Sequence, residues 1–227
     1  MEAKIESGPT LKCMRLPAFD IDSWEAVDTV FRDAPACAMR QAWLPAPEPA
    51  FRPATVRTGW RPDALHVLAD LDDADIFNPE TRFNEPSFQV GDVFEMFLRP
   101  GGQDAYYEIH VTPQNQKFQL RVPFENAVFQ VKPPPGAFLP PDWMVRLTVV
   151  ESRVSIRAER ERWRVLAVIP FALVVERGGV APGTPWRFSF SRYDYTRGAA
   201  RPVLSSTSPH REVSFHRQRE WGTLRFA

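Results

Sequence analysis

Tyr106-Tyr107-Glu108-Ile109-His110-Val111-Thr112-Pro113-Gln114-Asn115 is the stretch that decides the fold. Tyr107, Ile109 and Val111 form one apolar face against Tyr106, Glu108 and His110, and Pro113 ends the run. Strict period two is what a strand packed on a sheet face requires. The pattern recurs on both sides of this stretch. Leu65, Val67 and Ala69 oppose His66, Leu68 and Asp70, while Trp186, Phe188 and Phe190 oppose Arg187, Ser189 and Ser191.

Short runs of this kind, broken by Pro, Gly and Asp, predict strands over residues 11–16, 37–44, 64–70, 92–98, 105–112, 117–122, 144–149, 152–158, 162–169, 186–193 and 223–226. One short helix is expected within 19–31, capped by Asp22 or Ser23, and a single helical turn within 171–177 after Pro170. No helix is long enough to cover a parallel sheet. The expectation is therefore an all-β fold: a jelly-roll-like sandwich of two antiparallel sheets with long loops, in one domain over residues 1–227.

Composition agrees with this reading. The 227 residues can bury a core without metals or disulfides. The 23 prolines argue against a helical bundle, because proline removes a backbone donor and suits turns and strand edges. Lys and Arg balance Asp and Glu at 28 each, so no net charge attracts nucleic acid or an anionic membrane, and neither is expected as a partner. No run approaches the 18 or so apolar residues of a membrane span, so no membrane insertion is expected. The start lacks an apolar leader run, which reads as cytoplasmic or as a chain whose leader has been removed. Cys13 and Cys37 either pair with each other or remain buried thiols.

Most motifs of chemistry are absent. There is no HExxH, CxxC, GxSxG, GxGxxG or phosphate loop. Glu95 and Glu108 lie in neighbouring predicted strands joined by a Gly-rich turn. If register sets them on one face they make either the acid pair of a glycosidase or, with His110, a hydrogen-bonded polar network. The long segment 71–91 lacks periodicity, and loops of this length usually work at a binding site or are disordered. Asp70, Asp72, Asp73 and Asp75 offer hard oxygen ligands around its start, either for calcium or as a solvated loop, although the EF-hand glycine and final Glu are missing. The Pro-rich bridge 131–142, flanked by Phe129 and Phe138, reads as a stiff loop.

Six segments, in order, resemble the family 9 carbohydrate-binding modules and their DOMON-like relatives. They are Arg57 to Val67 followed by Asp70, then Asp92 to Pro100, then Tyr106 to Asn115 with its Pro-x-Asn ending. Val168-Ile169-Pro170-Phe171, Phe188 to Tyr193, and the closing Phe215-His216 with Trp221 to Phe226 complete the set. The resemblance implies a sandwich that holds sugar between aromatic rings, bound calcium in some members, and a secreted or periplasmic setting beside polysaccharide-degrading enzymes. Leu166 stands where such modules usually carry an acid. DOMON-like domains elsewhere hold haem, but nothing pairs the four histidines of this chain as axial ligands.

Three functions therefore remain open: a non-catalytic carbohydrate-binding domain, a structural or protein-interaction sandwich, and a glycoside hydrolase using Glu95 and Glu108. For sugar binding the candidate residues are Trp60, Trp186 and Tyr193 as rings, with Asn84, Glu95 and Arg192 as hydrogen-bonding partners. A ring removes the sugar's C–H face from water while polar groups take its hydroxyls. Trp186 alternates into the expected core. Trp60 precedes its predicted strand and is the first choice.

Overall fold

The computed structural model describes residues 8–146 and 148–227. In chain order the elements are β1 (Thr10–Arg15), α1 (Trp24–Val30), β2 (Cys37–Ala38), β3 (Ala54–Arg61), β4 (Ala64–Asp72), β5 (Val93–Arg99), β6 (Tyr106–Val111), β7 (Lys117–Val122), α2 (Ala127–Gln130), β8 (Glu151–Arg157), β9 (Arg162–Pro170), α3 (Phe171–Val174), β10 (Pro185–Asp194), β11 (Val203–Ser206) and β12 (Gly222–Phe226). The fold is an all-β sandwich. One sheet runs β7-β6-β5-β10-β12-β1 with β11 beside β10, and the other runs β1-β3-β4-β9-β8 with β2 beside β3.

β1 belongs to both sheets. Thr10 to Cys13 pair with Thr223 to Phe226, and then Met14 and Arg15 pair with Gly59 and Trp60. Both pairings are parallel, whereas the other named strand pairs are antiparallel. The expected pair of purely antiparallel sheets is thus modified at one seam. A strand that leaves one sheet and enters the next forms a corner of the sandwich.

The three alternating faces bury together as expected. Leu65, Val67 and Ala69 meet Tyr107, Ile109, Val111, Trp186, Phe188 and Phe190 between the sheets. The outward faces are covered too, which one-sided alternation did not suggest. Leu68 and Leu166 lie under Val27 of α1 and its C-terminal cap Phe31, and the N-terminal cap is Ser23, which accepts from the Ala26 N–H. Phe97, Tyr106, Phe118 and Leu120 lie under the loop residues Trp143, Phe215 and Trp221.

Two strands were not anticipated and two shrank. β3 and β11 are rich in Thr, Arg and Ser, so their apolar alternation is weak. Residues 37–44 keep only β2 and a single bridge from Arg40 to Ser206. Of 144–149, Met144 makes one bridge to Leu120, and Leu147 lies outside the described residues. Cys13 and Cys37 are free thiols, and burial pushes them up to about 12 and about 11.

Close approach at the seam requires glycine. A Cβ on Gly222 would sit 2.6 Å from both Phe188 Cε1 and the Pro9 carbonyl oxygen. Gly222→Ala is expected to lower stability by about 1–3 kcal/mol, read from the midpoint of urea unfolding at unchanged slope.

Candidate functional site

The outward face of the first sheet carries the chemistry. Register sets Glu95 opposite His110 and Phe97 opposite Glu108, so two acids and an imidazole share one face. Directly opposed side chains on a sheet are about 5 Å apart. The loop from β11 to β12 adds Val213, Ser214, Phe215 and His216, and the loop from β4 to β5 adds Phe88. With Tyr193 of β10 these groups enclose a pocket of about 240 Å³, open to solvent, with Glu95, Glu108 and Phe97 in its wall.

His110 is fully buried behind the acids. Its Nε2 lies 2.7 Å from Glu108 Oε1 and 3.2 Å from Glu95 Oε1. His216 Nδ1 meets the Tyr106 hydroxyl at 2.7 Å, which leaves Nε2 at 3.7 Å from Glu108 Oε2. Burial raises Glu95 to about 8. Burial also opposes ionisation of Glu108, but His216 and His110 outweigh it and hold that carboxyl below its usual value. For His110 burial is outweighed by Glu95 and Glu108, and its pKa rises. Glu95 Oε2, Glu108 Oε2 and His110 Nδ1 are buried and have no hydrogen-bond partner among the described residues.

Rings form the rest of the rim. Tyr193 is half-buried, with its centroid 5.6 Å from Phe88 and 5.9 Å from Phe215. Phe138 is 46% exposed with its centroid 5.6 Å from that of Phe88, while Phe129 is 61% exposed and stands perpendicular to the His216 ring with centroids 6.2 Å apart. A second hollow of about 780 Å³ adjoins across Val213 and Ser214 and has Phe129 and Arg217 in its lining.

Of the six residues expected to bind sugar, only Glu95 and Tyr193 come together here. Trp60 is enclosed: its ring packs 5.7 Å from Phe226, and Nε1 donates to the Ala227 carbonyl oxygen at 2.9 Å. The reason is the unanticipated β3, which pairs Trp60 with Leu65 on the core face. Trp186 is likewise core, 5.1 Å from Phe226. Asn84 is spent on a loop clamp, donating to the Val145 carbonyl at 2.8 Å and accepting from the Gln119 N–H at 2.7 Å. Phe88, Phe129, Phe138, Phe215 and His216 surround this pocket and are not among the residues expected from sequence. Phe215 and His216 had a signal in the closing motif, and Phe129 and Phe138 had one in their place beside the prolines.

Arg192 lies between the sheets. Its Nη2 donates to Asp73 Oδ2 at 2.9 Å and lies 3.2 Å from Asp194 Oδ2, and Nη1 donates to the Asp72 carbonyl at 2.6 Å. The indole of Trp163 donates to the same Asp73 oxygen at 3.1 Å. Asp92 completes a buried carboxylate group with Asp73 and Asp194, taking the N–H groups of Phe77 at 2.6 Å and Tyr195 at 2.7 Å.

The four acids expected to hold calcium do not form one coordination sphere. Asp70 faces Arg164 and Arg57, Asp72 faces Arg162, Asp75 faces Arg197, and only Asp73 joins the buried group, where a guanidinium already supplies the positive charge. Calcium takes six to eight oxygen ligands, and this divergent set does not fit it.

Two outcomes follow from the Arg192 group. Arg192→Ala strands buried carboxylates and is expected to cost about 3–5 kcal/mol, measured by chemical unfolding. Burial raises Asp194 from 3.8 to about 6, and burial with the Asp73 charge raises Asp92 from 3.8 to about 8. Folded-state values above the unfolded ones mean that this stability is complete below pH 3.8 and is lost as pH rises through about 6 and then about 8. The urea midpoint should fall from pH 5 to pH 9, and the slope should be shallower in Asp92→Asn.

No family model matches the chain, and no curated protein matches it. Solved structures do. A candidate carbohydrate-binding protein from Bacteroides uniformis superposes with a TM-score of 0.75 at 18% identity, covering 97% of this chain and 100% of that one. A family 9 carbohydrate-binding module from Caldicellulosiruptor kristjanssonii in complex with cellotriose gives 0.64 at 15% identity, covering 96% and 93%. A family 9 module from the same organism in complex with glucose gives 0.63 at 14% identity, covering 96% and 95%. The chain has the sandwich fold of these modules.

Proposed function

We propose that this chain is a carbohydrate-binding sandwich without catalytic chemistry of its own, and that the saccharide sits in the pocket between Tyr193, Phe88 and His216. The observation that carries this reading is the meeting of the rings of Phe88, Tyr193 and Phe215 with the acids Glu95 and Glu108 in the wall of one pocket. Sugar hydroxyls are donors, and a pocket wall that contains the carboxyl groups of Glu95 and Glu108 gives them acceptors while the rings cover C–H faces. Phe129 and Phe138 extend the apolar rim, and the adjoining hollow gives room for a second sugar unit beyond Val213 and Ser214. The prolines between these two rings stiffen the loop, so little entropy is lost when a ligand settles on it.

The fold likeness to modules solved with cellotriose and glucose supports the same reading. The hydrolytic alternative finds less support. Ligand oxygens of Glu95 and Glu108 lie within 4.8 Å of each other, and both acids face the same imidazole. A retaining glycosidase sets its acid and nucleophile about 5–5.5 Å apart across the bond that breaks, whereas these two share a proton network.

Calorimetry with cellotriose and glucose is the direct test. Tyr193→Ala and Phe129→Ala are each expected to weaken binding by about tenfold to a hundredfold, the equivalent of about 1–3 kcal/mol per ring. Phe129 is exposed, so its variant should fold as the parent does. A parent that binds sugar while both variants bind equally well would move the site elsewhere. A parent that binds no member of a glycan array would end the reading.

A further inference from the structure

We propose that Glu95, Glu108 and His110, with His216 turning in from the rim as a fourth ligand, form a binding site for a transition-metal dication of the zinc class on the floor of this pocket. The proposal stands on geometry and charge and does not depend on sugar binding.

Geometry comes first. Glu95 of β5 and Glu108 and His110 of β6 offer ligand atoms that lie within 4.8 Å of one another, all three side chains being buried. A tetrahedral ion with bonds of about 2.1 Å has ligand-to-ligand edges of about 3.4 Å. The cluster is compact enough to close on such an ion: His110 Nε2 lies 2.7 Å from Glu108 Oε1 and 3.2 Å from Glu95 Oε1, and His216 Nε2 stands 3.7 Å from the other oxygen of Glu108. His216 is also oriented as a ligand would be. Its far nitrogen is held by the Tyr106 hydroxyl at 2.7 Å, the kind of outer contact that fixes a metal-bound imidazole.

Charge points the same way. Among the described residues the pocket lining contains no Lys or Arg, and the cationic side chains paired with the two buried carboxylates are the imidazoles of His110 and His216. One oxygen on each acid, 2% and 5% exposed by residue, accepts no hydrogen bond. A dication neutralises both acids at once and gives these oxygens a partner. The contrast with the second buried acidic group is informative, because there Arg192 provides the cation from within the chain. Mixed imidazole and carboxylate ligands select zinc-class ions over calcium and magnesium, which favour oxygen alone.

The test uses the full chain, stripped with chelator and dialysed, with no saccharide present. Zinc chloride is titrated by calorimetry, and cobalt(II) is added in parallel to read its visible spectrum. The expected result is one equivalent of zinc per chain, a cobalt spectrum of tetrahedral intensity, and at least tenfold weaker zinc binding in both Glu95→Gln and His216→Ala. Glu95→Gln keeps the side chain's shape, and His216 is partly exposed, so at least one variant should retain the parent's circular dichroism. Absence of stoichiometric zinc, equal affinity in a folded variant, or equally tight magnesium would each overturn the proposal. Sugar titrations on the stripped chain read the carbohydrate site separately, so either idea can fail alone.

Discussion

Arg192 is the interaction on which the rest of the structure depends. It stands on β10 of one sheet, and its chief partner Asp73 follows β4 of the other, where Trp163 of β9 reaches the same carboxylate. A cation without water must find its partners in fixed positions, because the low dielectric that strengthens each contact also magnifies any that is missing. Geometry at this one point therefore constrains the distance and register of two sheets that otherwise meet through non-directional apolar contacts. Asp92 extends the constraint outward by holding the backbone at Phe77 and Tyr195, so the ends of the loop that carries Phe88 are tied to the same centre.

The pocket exists because one sheet has two different faces. β5 and β6 send Phe94, Met96, Tyr107 and Ile109 inward, and the same alternation leaves Glu95, Glu108 and His110 on the other side. Loops cover that side with Trp143, Phe215 and Trp221 except where Tyr193 and His216 meet the acids. A rigid sheet beneath and loops above is a common division of labour, in which the scaffold holds polar groups in place and the loops shape access.

Much of this was legible in sequence, and what was hidden has physical causes. Alternation revealed the core faces of β4, β6 and β10 because each buries a continuous apolar row. It missed β3, whose inward row of Ala54, Val56 and Trp60 is interrupted by Thr58 and whose outward row is polar, and Trp60 therefore reads as free of any strand. Glu95 and Glu108 could be paired as neighbours from their strands and the turn between them. Phe129, Phe138 and His216 could not be assigned to them, because such contacts cross long loops without period. The four acids near Asp70 illustrate the same limit: closeness in sequence says nothing of direction, since Asp70 and Asp72 sit on one outward face while Asp73 turns in.

The seam at β1 has a consequence for how the chain folds. Thr10 is hydrogen-bonded through its strand to the neighbourhood of Thr223, and the same strand then docks on Gly59 and Trp60. Closing a chain segment of that length costs entropy before any contact repays it, and parallel pairing cannot be nucleated by a tight hairpin. The hairpins β3–β4, β5–β6 and β8–β9 join strands near in sequence and can form early, whereas β1 must wait for strands from both ends of the chain. High contact order of this kind is associated with folding in milliseconds to seconds rather than microseconds. Until the seam closes, both sheets present an unpaired edge, which makes the slow step also the one most open to association with other chains.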